Sequence, residues 1–202
     1  MASPDFPARN PVLIAGVVAS ATVAALIWAA RFTLIPPIAG LEGQDAGLIF
    51  AIKCACVAAL LCLLAGVEAV AHERLFGPSF NPLAGHESPR MRVNLRYLSN
   101  TLEQFVLFAV GLLGLALYAD PRSVAAATLV WVLGRWAFWI GYHISPSHRG
   151  IGMAGVGQSL IVLVYVAWRF GGEIAGPAGA VALTGIFAAI EAVLFTAARR
   201  PQ

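Results

Sequence analysis

Apolar positions run through this chain in blocks of about 20 residues, close to the length an α-helix needs to cross a bilayer. Six blocks are read as spans: 12–31, 47–72, 92–118, 122–144, 152–169 and 177–197. The fifth is short and either tilts little or stops partway. Proline and glycine punctuate the pattern. Ile35-Pro36-Pro37 ends the first span, since proline supplies no N–H and disfavours helix before it. Ala-Asp-Pro-Arg at 119–122 joins spans three and four as a tight antiparallel hairpin. Ser145-Pro146-Ser147 breaks the fourth span, and Gly171-Gly172 to Gly176-Pro177 separates the fifth from the sixth. The longest polar stretch, Glu73 to Met91, holds Pro78, Pro82 and Pro89 with Gly77 and Gly85, and reads as an ordered, turn-rich loop. No internal repeat or low-complexity segment is present.

Composition agrees with that pattern. Of 202 residues, 59% are hydrophobic and 11% charged, and the mean hydropathy is +0.80. Soluble domains carry about 25% charged residues, so water is not this chain's main solvent. The expected fold class is all-α, a polytopic transmembrane helix bundle. The first span is not read as a cleavable signal peptide: its apolar run is too long, and Arg9 is the lone basic residue before it.

A net charge of +3 is too small to suggest a nucleic-acid partner. Its distribution says more. Six spans with the N-terminus inside gather Arg9, Arg74, Arg90, Arg92, Arg96, Arg149, Arg199 and Arg200 on one side. Arg31, Lys53, Arg122 and Arg169 fall on the other. The positive-inside rule then places both termini and the loops 73–91 and 145–151 in the cytoplasm.

Span three opens with Arg92, Arg96, Asn100 and Glu103. At about 100° per residue, Asn100 lies about 40° to one side of Arg96 and Glu103 about 20° to the other, so they form one polar ridge. Span four carries Arg135 and Tyr142 on one face. Glu103 and Arg135 sit at similar depth, roughly 13–17 Å from the same end. They are therefore expected to meet as an ion pair, which lowers the cost of burying either. Such a pair can be purely structural, fixing helix register. Arg96, Asn100, Tyr142 and Arg149 crowd the same end with few acids, which implies an anionic guest; lipid headgroup binding or topology signalling would also account for the surplus.

Other candidates have plainer readings. Cys54, Cys56 and Cys62 form no CxxC pair and read as packing residues. His72, His86, His143 and His148 show no metal-like spacing and no helical i, i+4 pair with another ligand, so no metal site is expected. Glu68 lies near a helix end and can snorkel to water, while Glu191 lies deep in the last span with no partner to offer. The five tryptophans read as interfacial anchors or packing residues. Gly152, Gly155 and Gly157 read as close-packing glycines, because no strand precedes them to make a phosphate loop.

Arg96-x3-Asn100-x2-Glu103, then Arg135-x6-Tyr142-x6-Arg149 one short hairpin later, resembles the MAPEG proteins, membrane-associated proteins of eicosanoid and glutathione metabolism. Glu73-Arg74 and the Pro- and Gly-rich loop before Arg92 fit the same pattern. The likeness covers roughly residues 50–170. It implies a four-helix MAPEG-like core over 47–170, with an N-terminal lead and extra helix at 1–46 and a further helix and tail at 171–202. The family implies a homotrimer in a lipid bilayer, with glutathione as cofactor between neighbouring subunits near the cytoplasmic face. Carried over by position, Arg74, Arg96, Asn100, Glu103, Arg135 and Tyr142 would bind glutathione, and Arg149 would stabilise its thiolate. Gln104 stands where an aromatic residue often follows the glutamate in the family, Phe138 where some members have tyrosine, and Gly150 where the prostaglandin synthase branch has serine, which argues against an eicosanoid-specific activity. The implied activity is transfer of glutathione to a hydrophobic small molecule, or reduction of its peroxide, at a bacterial inner membrane. A non-enzymatic protein of the same fold, and a carrier or sensor for a small anionic solute, are the alternatives.

Overall fold

The structure, a computed structural model, describes residues 10–41 and 44–198. Arg9, Arg199 and Arg200, which entered the charge argument, lie outside the described residues. Within them the chain is helical, with no strand. The elements are α1 (Pro11–Ala29), α2 (Arg31–Leu34), α3 (Gln44–Ala58), α4 (Ala65–Phe76), α5 (Pro89–Tyr118), α6 (Pro121–Ile144) and α7 (Ala154–Ala198). Five helical stretches among the described residues are long and apolar enough to cross a membrane.

Capping chemistry sets the helix starts. Asn10, Ser88 and Asp120 each accept hydrogen bonds from N–H groups of the first turn, and each is followed by proline at the first helical position. Helices α3 and α4 form one rod through a π-helical turn, Ala59–Leu64, which the sequence pattern does not announce. The sixth expected span is continuous with the fifth in α7, but the backbone leaves helical geometry at Ala175 and Gly176. Gly176 has φ +61° and Pro177 follows it. A Cβ on Gly171 would stand 2.6 Å from the Gly179 carbonyl oxygen. Residues eight apart in a straight helix are separated by about 12 Å, so the chain turns a sharp corner here. Beyond the corner, most of 181–198 is exposed, Glu191 included.

Helix α6 is the centre of the bundle. Trp131, fully buried, stacks on Phe108 at 4.5 Å and meets Phe105 edge-on at 5.8 Å. Ala51, Ala58, Cys62, Leu112, Val124 and Val162 close around them. Lipid is as apolar as these side chains, so close packing rather than expulsion from water must hold the helices together. Glycines permit it: a Cβ on Gly134 would lie 3.2 Å from Gly155 Cα, and one on Gly111 3.3 Å from Val162 Cγ1. Gly152 and Gly155 are thus the close-packing residues expected, whereas Gly157 faces open space.

After α6 the chain turns back into the bundle as a 3₁₀ segment, His148–Gly152. Helix α1 packs along this segment, with Asn10 Nδ2 donating to Ser147 Oγ at 2.6 Å and Ser20 Oγ to the Gly150 carbonyl at 3.3 Å. The bundle therefore has a Ser88 end, holding α4's last turn, the start of α5 and the loop 145–152. Its Asp120 end holds the α5–α6 hairpin and α2.

Candidate functional site

The Ser88 end is clamped by Glu73. Its carboxylate pairs with Arg90 Nε at 2.9 Å and accepts from Ser88 Oγ at 3.3 Å, while Ser88 N donates to Ser79 Oγ at 3.0 Å. These contacts fix the loop between α4 and α5, and with it the first turns of α5. From there α5 presents two polar faces. Asn94, Tyr97 and Thr101 are buried against α6. Arg92, Arg96 and Glu103 are exposed on another side, with Asn100 half-buried beside them.

The inward face makes a dense network. Asn94 Oδ1 accepts from Trp139 Nε1 at 3.0 Å and lies 3.0 Å from His143 Nε2, which places a proton on that nitrogen. Tyr97 stacks on Trp139 at 4.4 Å and donates its hydroxyl to the Cys62 carbonyl at 3.2 Å. That carbonyl belongs to the π-helical turn, where the widened ladder gives a side chain access to the backbone. Arg135, 1% exposed, donates from Nη2 to Thr101 Oγ1 at 2.8 Å. Its guanidinium lies over the rings of Phe138 (4.5 Å) and Tyr97 (5.4 Å), and its Nε has no partner.

The expected Arg135–Glu103 ion pair is not formed. The ion pairs among the described residues are Glu68–His72 and Glu73–Arg90. Glu103 instead accepts from Ser99 Oγ at 3.5 Å on the exposed ridge. The reason is rotation about α5: Thr101 precedes Glu103 by two residues, about 200°, so a helix that turns Thr101 to α6 turns Glu103 away. Ring faces and one hydroxyl hold Arg135's charge in place of an acid. The reading that no histidine has an i, i+4 partner is also corrected, since His72 Nε2 lies 3.6 Å from Glu68 Oε2. No group of three or more metal-ligating side chains forms among the described residues.

The remaining expected residues lie at the same end. Arg74 and Tyr142 are half-buried, and the Tyr142 ring stands 5.7 Å from Phe138. Arg149 is half-exposed on the 3₁₀ segment, beside a Ser145 Oγ···His148 Nδ1 contact of 2.7 Å. None of Arg74, Arg96, Asn100, Tyr142 and Arg149 makes a side-chain hydrogen bond or ion pair among the described residues. The structure thus joins Arg135 to an inner network and leaves Arg96, Asn100 and Glu103 on an outward ridge. The inner residues Asn94, Tyr97, Thr101 and Trp139 were missed, although Asn94, Tyr97 and Thr101 recur at helical spacing.

Comparison with known proteins bears on this arrangement. A 70-residue stretch is 40% identical to an uncharacterized protein, sll1147, of Synechocystis sp., covering 35% of this chain and 51% of that protein. The chain spans about half the length of this curated relative. No solved structure matches. The model of the MAPEG family matches residues 48–171, from α3 through the first half of α7. That match takes in the clamp at Glu73, both faces of α5, all of α6 and the 3₁₀ segment. The chain therefore belongs to the MAPEG family of integral membrane proteins.

Proposed function

We propose that the protein is a membrane-bound, glutathione-dependent transferase or peroxidase acting on hydrophobic electrophiles. It works as a homotrimer, in the inner membrane of a bacterium and with both termini in the cytoplasm. The observation that carries this reading is the outward ridge of Arg96, Asn100 and Glu103. Helix α5 has 30 residues and is about 45 Å long against a hydrocarbon core of about 30 Å. Glu103 stands about 21 Å along it, near the midplane if the helix is centred. A lipid-facing carboxylate there costs about 2.5 kcal/mol or more. A neighbouring copy and a zwitterionic guest would remove that cost.

Glutathione fits the donor set. Its ammonium suits Glu103, and its carboxylates suit Arg74 and Arg96, none of which is neutralised by an ion pair among the described residues. Asn100 offers both a donor and an acceptor to the peptide groups, and Tyr142 offers a hydroxyl. When bound, glutathione supplies a thiol whose deprotonated form is a nucleophile. Arg149 is suited to favour that form: it sits on a short 3₁₀ segment, carries positive charge and pairs with no acid among the described residues. Arg135 is placed to hold α5 and α6 in register beneath this site.

Calorimetric titration of the purified trimer with glutathione tests the reading, with other low-molecular-weight thiols as comparison. Saturable binding that Arg96→Ala weakens is expected. Absence of binding by any thiol would leave the non-enzymatic reading. Accumulation of labelled glutathione inside sealed vesicles would favour a carrier.

A further inference from the structure

The Asp120 end holds a cleft that the thiol chemistry does not use. Its volume is about 770 Å³, and it lies between α1 and α7 with its end against α2 and the α5–α6 hairpin. Small residues make it: Ala21, Ala24 and Ala25 on α1 face Ala154 and Gly157 on α7. A Cβ added at Gly157 would meet nothing within 4 Å. Ala21, Ala25, Gly157 and Ile161 are exposed, so the cleft opens sideways between two spanning helices. One wall, α1, lies outside the family-matched region.

Polar groups in the cleft are sharply divided. Along the floor they are satisfied internally. Trp28 Nε1 donates to Gln158 Oε1 at 2.8 Å, and Gln158 Nε2 donates to the Ala127 carbonyl at 2.7 Å. At the outer end stands Arg31. Its Nε donates to Ser123 Oγ (3.1 Å) and its Nη1 to the Trp28 carbonyl (2.7 Å), which uses two of the five N–H groups a guanidinium carries. Arg122 and Arg169 flank it, Arg122 over the Phe32 ring that Arg31 also covers and Arg169 over Tyr118. Two acids share this end, and Asp120 is joined to Arg31 through the Ser123 hydroxyl. Asp120 accepts from Arg122 N, Ser123 N and Ser123 Oγ, and Glu173 accepts from the Tyr118 hydroxyl at 3.0 Å. Neither forms an ion pair among the described residues. Arg31, Arg122 and Arg169 against Asp120 and Glu173 leave a surplus of one positive charge at this end, beside an otherwise apolar trough.

The geometry points to a binding site for an anionic phospholipid, with its phosphate at Arg31 and an acyl chain along the trough. Length selects a lipid over a compact solute. Ala21 to Arg31 is ten residues, about 15 Å of helix, which is half of a hydrocarbon core of about 30 Å. The trough is thus as deep as one leaflet, and its guanidinium lies where that leaflet's headgroups lie. A free phosphate would leave the trough empty, and an uncharged apolar molecule would leave three N–H groups of Arg31 without an acceptor among the described residues.

Native mass spectrometry of the full-length protein tests this, using detergent micelles doped with phosphatidylglycerol and phosphatidylcholine of identical acyl chains. The wild type should retain phosphatidylglycerol in preference, by about fivefold, the effect of one basic side chain on an anionic headgroup. Arg31→Gln should abolish the preference and Arg31→Lys should restore most of it. Gly157→Leu adds bulk to the trough at a position whose Cβ meets nothing within 4 Å, and should abolish retention of both lipids while the unfolding temperature stays that of the wild type. Equal retention of the two lipids by the wild type, or undiminished retention in Gly157→Leu, would overturn the assignment.

Discussion

Thr101→Val tests how a buried guanidinium is held without an acid. Thr101 is fully buried and its Oγ1 accepts from Arg135 Nη2 at 2.8 Å. Valine keeps the shape and removes the oxygen, leaving Nη2 as orphaned as Nε already is. Two magnitudes compete. A hydrogen bond to a charged group contributes about 1.5–3 kcal/mol to stability. Interhelical polar contacts in membrane proteins average about 0.6 kcal/mol, because the unfolded chain in the membrane finds other partners. Here Arg135 is 1% exposed and cannot snorkel, so the larger figure should govern. Thr101→Val is expected to cost about 1.5–3 kcal/mol.

The sign of a second change makes the test sharper. Arg135→Met removes the charge, and burying an apolar side chain of similar length costs less than burying an unpaired cation. Arg135→Met on the Thr101→Val background should therefore recover stability, in the opposite direction from two independent losses. Unfolding in mixed micelles of increasing SDS fraction, followed by tryptophan fluorescence without glutathione, reads both variants. A loss below about 0.5 kcal/mol for Thr101→Val, or a double variant less stable than Thr101→Val alone, would refute the reasoning.

Glu103→Gln should not lower the unfolding midpoint of the isolated chain, because Glu103 has no ion pair among the described residues, yet should weaken glutathione binding measured calorimetrically. Arg149→Ala should lower turnover of a model electrophile by about two orders of magnitude while keeping most of the ground-state affinity. Removing that cation destabilises the thiolate, so absorbance against pH should show the bound thiol titrating at higher pH. Gly16→Leu should loosen α1, since even its Cβ would stand 2.9 Å from Ile151 N and 3.1 Å from Gly150 C. A stability loss of about 1–3 kcal/mol is expected in the same mixed-micelle assay.

The helices were legible in the sequence because the bilayer imposes one length on every span. Expected starts at 12, 92 and 122 lie within three residues of Pro11, Pro89 and Pro121, where a capping side chain and a proline mark the turn. The π-helical turn at 59–64 was not legible, as Ala-Leu-Leu-Cys-Leu-Leu is equally compatible with an ordinary helix. The corner at 175–176 was visible as Gly-Pro, but whether the helix bends or ends there depends on Gly171 meeting Gly179, a tertiary contact. The fifth span looked short because its end was placed at 169, whereas α7 starts at Ala154 and stays helical up to the break at Ala175.

For the site, counting residues gave depth and missed azimuth. Arg135 and Glu103 do lie at comparable depths along antiparallel helices, yet depth along a hairpin leaves each helix free to rotate about its own axis. That rotation is decided by which face of α5 packs best on α6. Tyr97 and Thr101 win it: the tyrosine ring stacks on Trp139, its hydroxyl reaches the π-helical turn, and the threonine caps the guanidinium. Arg92, Arg96 and Glu103 carry long charged chains that form no ion pair among the described residues, and they face outward. The same choice that breaks the expected ion pair thus exposes the ridge on which the glutathione reading rests. Had Arg135 and Glu103 paired inside one chain, the pair would have explained both residues as structure and left nothing to bind an ammonium. Their separation divides the two groups: Arg135 is held inside the bundle by Thr101 and two ring faces, and the ridge is left open to the proposed glutathione site.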